Sequence, residues 1–258
     1  MDAALAASRL APIDIPSVAV VIPVLNEEAN IADLLTEVRS ALDRVASFEI
    51  VVVNDGSTDA SATILANLAR LDPRLRPIHH RRRYGQSAAL ATGVRVARAP
   101  VVVTLDGDGQ NDPADIPALL KAFFEAADPD RVLIAGQRTK RRDTIIKRLS
   151  SRIANGVRGF LLSDRTPDTG CGLKVFSRAA FFDLPRFNHM HRFLPALMLR
   201  QGAEVRSIPV HHRPRMKGES HYGLWDRLWV GIVDLAGVMW LMRRPLRTEW
   251  DAERTTET

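Results

Sequence analysis

The chain has 258 residues, of which 46% are hydrophobic, enough for one packed α/β domain or one domain with an appendage. Its formal charge of +6 suits a nucleic acid, an anionic membrane surface or a phosphorylated substrate, and does not choose among them. The single cysteine, Cys171, excludes a disulfide within the chain and favours a reducing compartment.

The first half of the chain alternates apolar runs with segments of helical periodicity. Residues 1–17 lack the apolar core of a signal peptide and predict a flexible leader. Strands are predicted over 18–23, 49–54, 77–79, 101–106 and 132–135, and helices over 30–45 (capped by Asn30), from after the loop 55–59 to about 71, over 87–97 and over 113–126. This alternation predicts right-handed β-α-β units, and therefore an α/β fold with a mostly parallel sheet flanked by helices.

The second half has a different pattern. It begins with a basic stretch at 140–148 that enters a predicted helix over 143–162. Further predictions are a turn and strand over 168–176, a helix over 191–200, a strand over 205–210, a basic loop over 213–223 and an apolar helix over 224–242. We therefore expect a main domain over 18–223, an apolar helix over 224–245 and a polar tail over 246–258.

A pair of carboxylates, Asp106 and Asp108, follows the apolar β-branched run at 101–105. Such a run predicts a buried strand of a parallel sheet, and open α/β sheets bind ligands at the carboxyl ends of their strands. Two carboxylates at that position make a hard-oxygen site that suits Mg²⁺ or Mn²⁺ with substrate phosphates. The pair therefore predicts a metal site on a phosphorylated ligand.

Two other acidic residues, Glu27 and Asp55, follow the first and second predicted strands. Either alone could cap a helix or pair with its dipole. A doubly wound sheet would bring both to the same rim as Asp106 and Asp108. The first half of the chain lacks GxGxxG and GxxxxGK[ST] motifs, which disfavours a dinucleotide site or a P-loop.

Five ordered segments resemble a known family. V-I-P-V-L-N-E-E at 21–28, V-N-D-G-S-T-D at 53–59 and D-G-D-G-Q-N-D-P at 106–113 resemble family 2 glycosyltransferases. D-T-G-C-G-L-K at 168–174 and R-M-K-G-E-S at 215–220 resemble the D-x-x-S-G-[FL]-[RK] and R-x-x-G-x-S segments of its polyprenyl-phosphate, dolichol-phosphate mannosyltransferase-like branch. The resemblance covers about residues 18–222.

That resemblance implies a Rossmann-like GT-A fold and a metal-dependent, inverting transfer of a hexose from GDP-mannose or a UDP-hexose to a polyprenyl phosphate. By position, Pro23, Glu27, Asp55 and Asp106 would contact the nucleotide, and Asp106, Asp108 and Gln110 would hold Mg²⁺ or Mn²⁺. Arg215 and Ser220 would bind the donor diphosphate. Arg138, Arg148, Ser151 and Arg152 would face the acceptor phosphate, and catalysis would rest on Asp106, Asp108, Arg138 and Arg215.

Two departures from the family pattern concern Cys171 and His221. Cys171 replaces the usual serine, and we interpret it as a small buried residue rather than a nucleophile. His221 stands where lysine is common, which predicts a weaker or pH-dependent contact to the diphosphate. The other histidines show no H-x-x-x-H or HExxH spacing, so a zinc site is disfavoured.

A phosphate acceptor needs no strong general base, because its second pKa is near 6 and it is already a nucleophile at pH 7. One alternative is a family 2 enzyme acting on a saccharide or lipid-linked hydroxyl, for which Asp168 is the nearest candidate base. Another is a nucleotide-sugar-binding protein without turnover. No nucleic-acid recognition module is visible.

The apolar run at 228–242 contains Asp234, two glycines and flanking tryptophans, followed by Arg243 and Arg244. At about 1.5 Å per residue it is shorter than the ~30 Å hydrocarbon core of a bilayer. Tryptophan and arginine suit the interface of an anionic membrane. We therefore expect an amphipathic helix, peripheral attachment on the cytoplasmic side of the membrane and, as alternatives, ordinary packing on the domain or a homodimer.

Overall fold

The structure, a computed structural model, describes residues 17–138, 159, 162, 164, 166–213 and 224–244, with side chains from 231 onward in the last segment. Most of the predicted leader and of the helix over 143–162, the loop over 214–223 and the polar tail lie outside the described residues. The domain boundaries predicted above therefore stay predictions.

A seven-stranded sheet forms the centre of the described part, in the order β3-β2-β1-β4-β6-β5-β7. The strands are β1 Val18–Val24, β2 Phe48–Asn54, β3 Leu75–His79, β4 Val101–Thr104, β5 Val132–Arg138, β6 Lys174–Ser177 and β7 Glu204–Val210. The prediction of a mostly parallel sheet is confirmed, since only β6 runs antiparallel to its neighbours. The carboxyl ends of β1, β2 and β4 consequently lie at one edge.

Helices cover both faces of the sheet. They are α1 Ile31–Leu42, α2 Ser61–Leu71, α3 Gln86–Val96, α4 Ile116–Phe124, α5 Arg178–Phe182, α6 Leu194–Arg200 and α7 Leu224–Met242, with short 3₁₀ turns at Pro113–Asp115, Pro129–Arg131 and Met190–Arg192. The bounds predicted for α7 are confirmed, and α1, α2, α3, α4 and α6 begin or end within a few residues of their predictions, whereas the short helix α5 was not predicted. Asn30 precedes α1 as predicted, but its side chain donates to Glu27 Oε2 and does not cap the helix.

Two apolar layers form because successive side chains of a strand point to opposite faces. In β1, Val20 and Ile22 pack with α1, α2 and α4, while Ala19 and Val21 pack with α3 and α6. The strands β1, β2 and β4 are buried almost throughout, as continuous apolar runs in parallel sheets usually are. This two-sided burial holds the carboxyl ends of the strands in a rigid frame.

Candidate active site

Asp106 and Asp108 lie where β4 gives way to a loop at the carboxyl edge of the sheet. The backbone N–H of Leu105 still bonds to Val21 O, which holds the start of this loop against β1. Asp106 Oδ1 accepts from Gln86 Nε2 at 2.8 Å, and Asp108 Oδ1 accepts from the backbone N–H of Gln110 at 3.1 Å. The predicted strand-end position of the two carboxylates is confirmed.

The carboxyl of Asp106 is electrostatically perturbed. Burial, and then the negative charge of Asp108, raise its pKa to about 6, and Lys174, Arg138 and the bond from Gln86 oppose the rise. A buried carboxyl beside a second carboxyl is stabilised by any cation that both can share. The oxygen donors of Asp106, Asp108 and Gln110 thus fit a hard divalent ion with open positions, although no cluster of three or more His, Cys, Asp or Glu suited to a metal exists among the described residues.

A cavity of about 290 Å³ opens beside Asp106. Its walls come from the end of β1, the start of α3, the end of β4, the loop before β6 and the turn before α6. The lining residues are Pro23, Gln86, Leu90, Thr104, Leu105, Asp106, Thr169, Gly170, Cys171, Gly172, Lys174, His191, Arg192 and Leu194. The volume is near the lower end of the range for small-molecule sites.

The loop before β6 approaches Asp106 closely, and Gly172 makes that approach possible. A Cβ at Gly172 would come within 2.5 Å of Asp106 Oδ1 and closer still to the other carboxyl atoms. Thr104 Oγ1 donates to Gly172 O, and the buried Lys174 ammonium donates to Cys171 O. Cys171 is buried, as predicted, and burial raises the pKa of its thiol, so it is unsuited to act as a nucleophile.

Arg138, at the end of β5, forms a bidentate ion pair with Asp168. Its Nε and Nη2 each lie 2.7 Å from an Asp168 oxygen, and its backbone N–H also donates to Asp168. Burial disfavours the guanidinium charge, yet these bonds raise the pKa of Arg138. Asp168 therefore holds the arginine in place, which leaves it poorly disposed to act as a general base.

Asp55 lies at the end of β2 but is 3% exposed. Its oxygens accept from His80 Nδ1 and from the backbone N–H groups of Tyr84 and Gly85. These bonds fix the loop that leads into α3 and so place Gln86 against Asp106. The contact of Asp55 with the nucleotide stays a prediction.

Glu27 lies after β1, at the start of α1, where its carboxylate accepts from Asn30 Nδ2 at 2.7 Å and its backbone N–H donates to Ser61 Oγ. Pro23 lines the cavity. Pro23, Glu27, Asp55 and Asp106 therefore share the carboxyl edge of β1, β2 and β4, as predicted from their positions after the strands.

The chain after β7 is fastened onto the loop that follows Asp108. Arg213 Nη1 and Nη2 each lie 2.7 Å from a carboxylate oxygen, of Glu37 and Asp112 respectively, and its backbone N–H donates to Gln110 O. His211 binds Asp115 through both its backbone N–H and its ring. The root of the predicted diphosphate loop and the predicted metal loop thus form one unit.

Several predicted residues lie outside the described residues, namely Arg148, Ser151, Arg152, Arg215, Ser220 and His221. The cavity-lining residues that were not predicted as site residues include Gln86, Lys174, His191 and Arg192. Lys174 stands within the quoted 168–174 motif, which was a usable signal. Gln86 and His191 carry no local signal, because only packing brings α3 and the turn before α6 to Asp106.

The sequence profile of glycosyl transferase family 2 matches residues 19–184. The chain is 32% identical over 244 residues to a dodecaprenyl-phosphate galacturonate synthase of Rhizobium johnstonii, covering 92% of this chain and 70% of that protein. The chain belongs to glycosyl transferase family 2. It is also 35% identical over 209 residues to an undecaprenyl-phosphate 4-deoxy-4-formamido-L-arabinose transferase of Edwardsiella ictaluri, covering 80% of this chain but only 63% of that protein.

Solved glycosyltransferases share the architecture of this family 2 chain. Glucosyl-3-phosphoglycerate synthase from Mycobacterium tuberculosis superposes with a TM-score of 0.63 at 18% identity, covering 88% of this chain and 80% of that one. A Pyrobaculum calidifontis mannosyltransferase in complex with GDP-Man and Mn²⁺ superposes with a TM-score of 0.62 at 20% identity, covering 92% of this chain and 67% of that one. The predicted GT-A fold is confirmed.

Proposed function

We propose that this family 2 glycosyltransferase moves a sugar from a nucleoside-diphosphate sugar to a polyprenyl phosphate. The observation that carries the proposal is the half-buried Asp106 near Asp108, at the carboxyl end of β4 and at the mouth of a sugar-sized cavity. The two relatives above, named as dodecaprenyl-phosphate and undecaprenyl-phosphate enzymes, support the acceptor class. The chain spans only about 63% of the second relative's length, so the transfer to this acceptor is inferred from a part of such an enzyme.

The acceptor chemistry agrees with the contacts of Asp168. A phosphomonoester with its second pKa near 6 attacks without a strong base, whereas a hydroxyl acceptor needs one. Asp168 was the nearest candidate base, but both its oxygens bind Arg138. This pairing favours the phosphate acceptor over a saccharide hydroxyl. Arg138 Nη1, with Arg148, Ser151 and Arg152 from the motif positions, would face the acceptor phosphate.

The departing nucleoside diphosphate needs its charge neutralised. Asp106, Asp108 and Gln110 would hold Mg²⁺ or Mn²⁺, which would supply Lewis-acid stabilisation of the leaving group when bound. Structural neighbours solved with Mn²⁺ and GDP-Man, or with Mg²⁺ and UDP, are consistent with such a cofactor. Arg215 and Ser220, carried on the segment that Arg213 fastens to the Gln110 loop, would bind the diphosphate.

The sugar is the least constrained part of the donor. The motif resemblance implied mannose or glucose, while the two relatives are named for galacturonate and for 4-deoxy-4-formamido-L-arabinose. The donor side would be assembled by Pro23 and Glu27 at the nucleoside, with Asp55 holding the loop before α3. We therefore propose a nucleoside-diphosphate sugar whose sugar differs from mannose and glucose.

We also propose that α7 rests on an anionic membrane surface. Its buried side packs on the domain through Val238, and Asp234 binds His189 at 2.8 Å. Its opposite side exposes Ile232, Val233 and Trp240 by 51–57%, next to the exposed Arg243 and Arg244. Among the described residues no helix is long and apolar enough to cross a bilayer. An apolar strip with arginines at one end is typical of interfacial helices.

Membrane attachment is tested by carbonate extraction at pH 11 and by flotation with vesicles that do or do not contain anionic lipid. Peripheral attachment predicts release by carbonate and flotation only with anionic vesicles. Retention in the membrane pellet would indicate integration, and a homodimer in solution without vesicle binding would assign the exposed side of α7 to a second subunit.

The transfer itself is tested with undecaprenyl phosphate, Mn²⁺ and a panel of radiolabelled UDP- and GDP-sugars, followed by extraction of the lipid product. Asp108→Asn keeps the oxygen that accepts from Gln110 N–H but removes the charge. We expect it to lower transfer by about 10²–10³-fold, comparable with losing a main electrostatic group. Asp33→Asn, an exposed change on α1, is the matched control. Near-normal transfer by Asp108→Asn would contradict the metal assignment, and absence of lipid product with every donor would contradict the function.

A further inference from the structure

The cavity beside Asp106 has two cationic side chains on its wall, Lys174 and Arg192. Lys174 is 3% exposed, and its ammonium donates to the backbone oxygens of Thr169 and Cys171. Arg192 is exposed at the opposite side, on the turn before α6. Within the described part of the chain, no carboxylate pairs with the Arg192 guanidinium. The cavity is therefore bordered by a buried lysine, the pKa of which is lowered by burial, and by an accessible arginine.

A neutral histidine, His191, also lines the cavity. His191 Nδ1 is 2.7 Å from Ser87 Oγ, which also accepts the backbone N–H of His191. Burial first, and then the charges of Arg192 and Lys174, lower the pKa of His191 to about 3. The Ser87 hydroxyl can donate to Nδ1, which leaves the imidazole proton on Nε2 as a hydrogen-bond donor. His191 therefore adds a hydrogen-bond donor and no positive charge to this wall.

The carboxylates near the cavity are engaged by groups other than Arg192. Asp106 is the one carboxylate among the described lining residues, and it belongs to the proposed metal site. Asp168 lies nearby but is bound on both oxygens by Arg138. A ligand with its own anionic group would therefore gain more here than a neutral ligand of the same size, because charge-assisted hydrogen bonds are about twice as strong as neutral ones.

We infer that the cavity holds the donor sugar and that Arg192 selects a sugar that carries a carboxylate, a hexuronic acid. The inference rests on the proposed function and deepens it by naming the class of sugar. An anionic oxygen could also come from the acceptor phosphate, and the experiment below separates the two sources. Of the two relatives' sugars, the inference favours the uronic acid over the uncharged formamido pentose.

The experiment compares donors that differ only at C6: UDP-galacturonate with UDP-galactose, UDP-glucuronate with UDP-glucose, and GDP-mannuronate with GDP-mannose. Each donor is offered to the full chain with undecaprenyl phosphate and Mn²⁺, and kcat/KM is measured for donor and acceptor separately. Donor affinity is also measured without acceptor. The variants are Arg192→Gln, Arg192→Lys as the charge-conserving change, and Arg186→Gln. Arg186 is the matched control, because it is an exposed arginine six residues before Arg192 that stacks over Phe182 and does not line the cavity.

We expect the wild type to prefer the uronate of one pair by at least tenfold in kcat/KM. Arg192→Gln should reduce that preference by roughly tenfold to a hundredfold, as for the loss of one charged hydrogen bond, and should weaken uronate binding in the absence of acceptor. Arg192→Lys should retain part of the preference, and Arg186→Gln should retain all of it.

Three other results would overturn the inference. Equal or better use of the neutral sugars would leave the transferase intact but refute a carboxylate subsite. If Arg192→Gln lowered kcat/KM equally for both donors of a pair and raised the KM for undecaprenyl phosphate, that result would assign Arg192 to the acceptor phosphate. Absence of lipid product from every pair would refute the proposed function together with the inference.

Discussion

Replacing Gly172 by alanine tests whether the position of the Asp106 carboxyl controls the reaction. The three atoms nearest to the added Cβ all belong to that carboxyl, and Oδ1, at 2.5 Å, is the farthest of them. Non-bonded heavy atoms pack at about 3.5 Å, so the carboxyl must move by about 1 Å or rotate away. Because the three closest contacts are all with one side chain at the cavity wall, we expect the protein to remain folded.

The expected effect on function is larger than the effect on stability. A misplacement of about 1 Å in a catalytic group can cost about 10²-fold in rate. Gly172→Ala should therefore lower kcat/KM about a hundredfold and weaken Mn²⁺ binding, while the melting temperature changes by only a few degrees. The loss of kcat/KM should exceed the loss caused by a glycine-to-alanine change away from the cavity.

The kcat/KM is measured by lipid-product formation, Mn²⁺ binding by electron paramagnetic resonance, and the melting temperature by thermal unfolding. Gly237→Ala is the matched control, since nothing lies within 4 Å of the added Cβ and alanine in a helix gains up to about 1 kcal/mol over glycine. If Gly172→Ala transferred sugar within a few-fold of the wild type, the reasoning that the close approach of this loop fixes Asp106 would be refuted.

Two further predictions concern His191 and Arg213. The pKa of His191 is about 3 in the folded state and near 6.5 when unfolded, so the unfolded state binds more protons between these values. The free energy of unfolding should consequently fall with decreasing pH below 6.5, by about 1 kcal/mol per pH unit more in the wild type than in His191→Gln. Denaturant titrations from pH 7 to 5 measure this, and parallel pH profiles would contradict it. Arg213→Gln should raise the KM for the donor several-fold, because it separates the Gln110 loop from the root of the diphosphate loop. Arg206→Gln, which breaks only an exposed pair with Glu204, is the control, and identical kinetics of the two variants would rule out a positioning role for Arg213.

Much of the carboxyl edge of the sheet could be predicted, because the sequence patterns that mark the strand ends are local. The strands β1, β2 and β4 end at Val24, Asn54 and Thr104, close to Pro23, Asp55 and Asp106, and a parallel sheet must bring such ends to one edge. The apolar helix α7 could likewise be bounded from its sequence. The antiparallel direction of β6 could not, because alternation along a strand is the same in either direction. Its direction is set by the pairing with β4 and β5.

The sequence alone therefore determined the alternation of strands and helices, the carboxylate pair after β4 and the family to which the chain's motifs point. Only the tertiary structure decided what surrounds that pair. Gln86 reaches Asp106 because Asp55 binds the loop before α3, and His191 reaches Ser87 across 104 positions of the chain. The physical reason is that strand ends follow from residue type and period, whereas contacts between distant segments depend on how helices pack over the sheet.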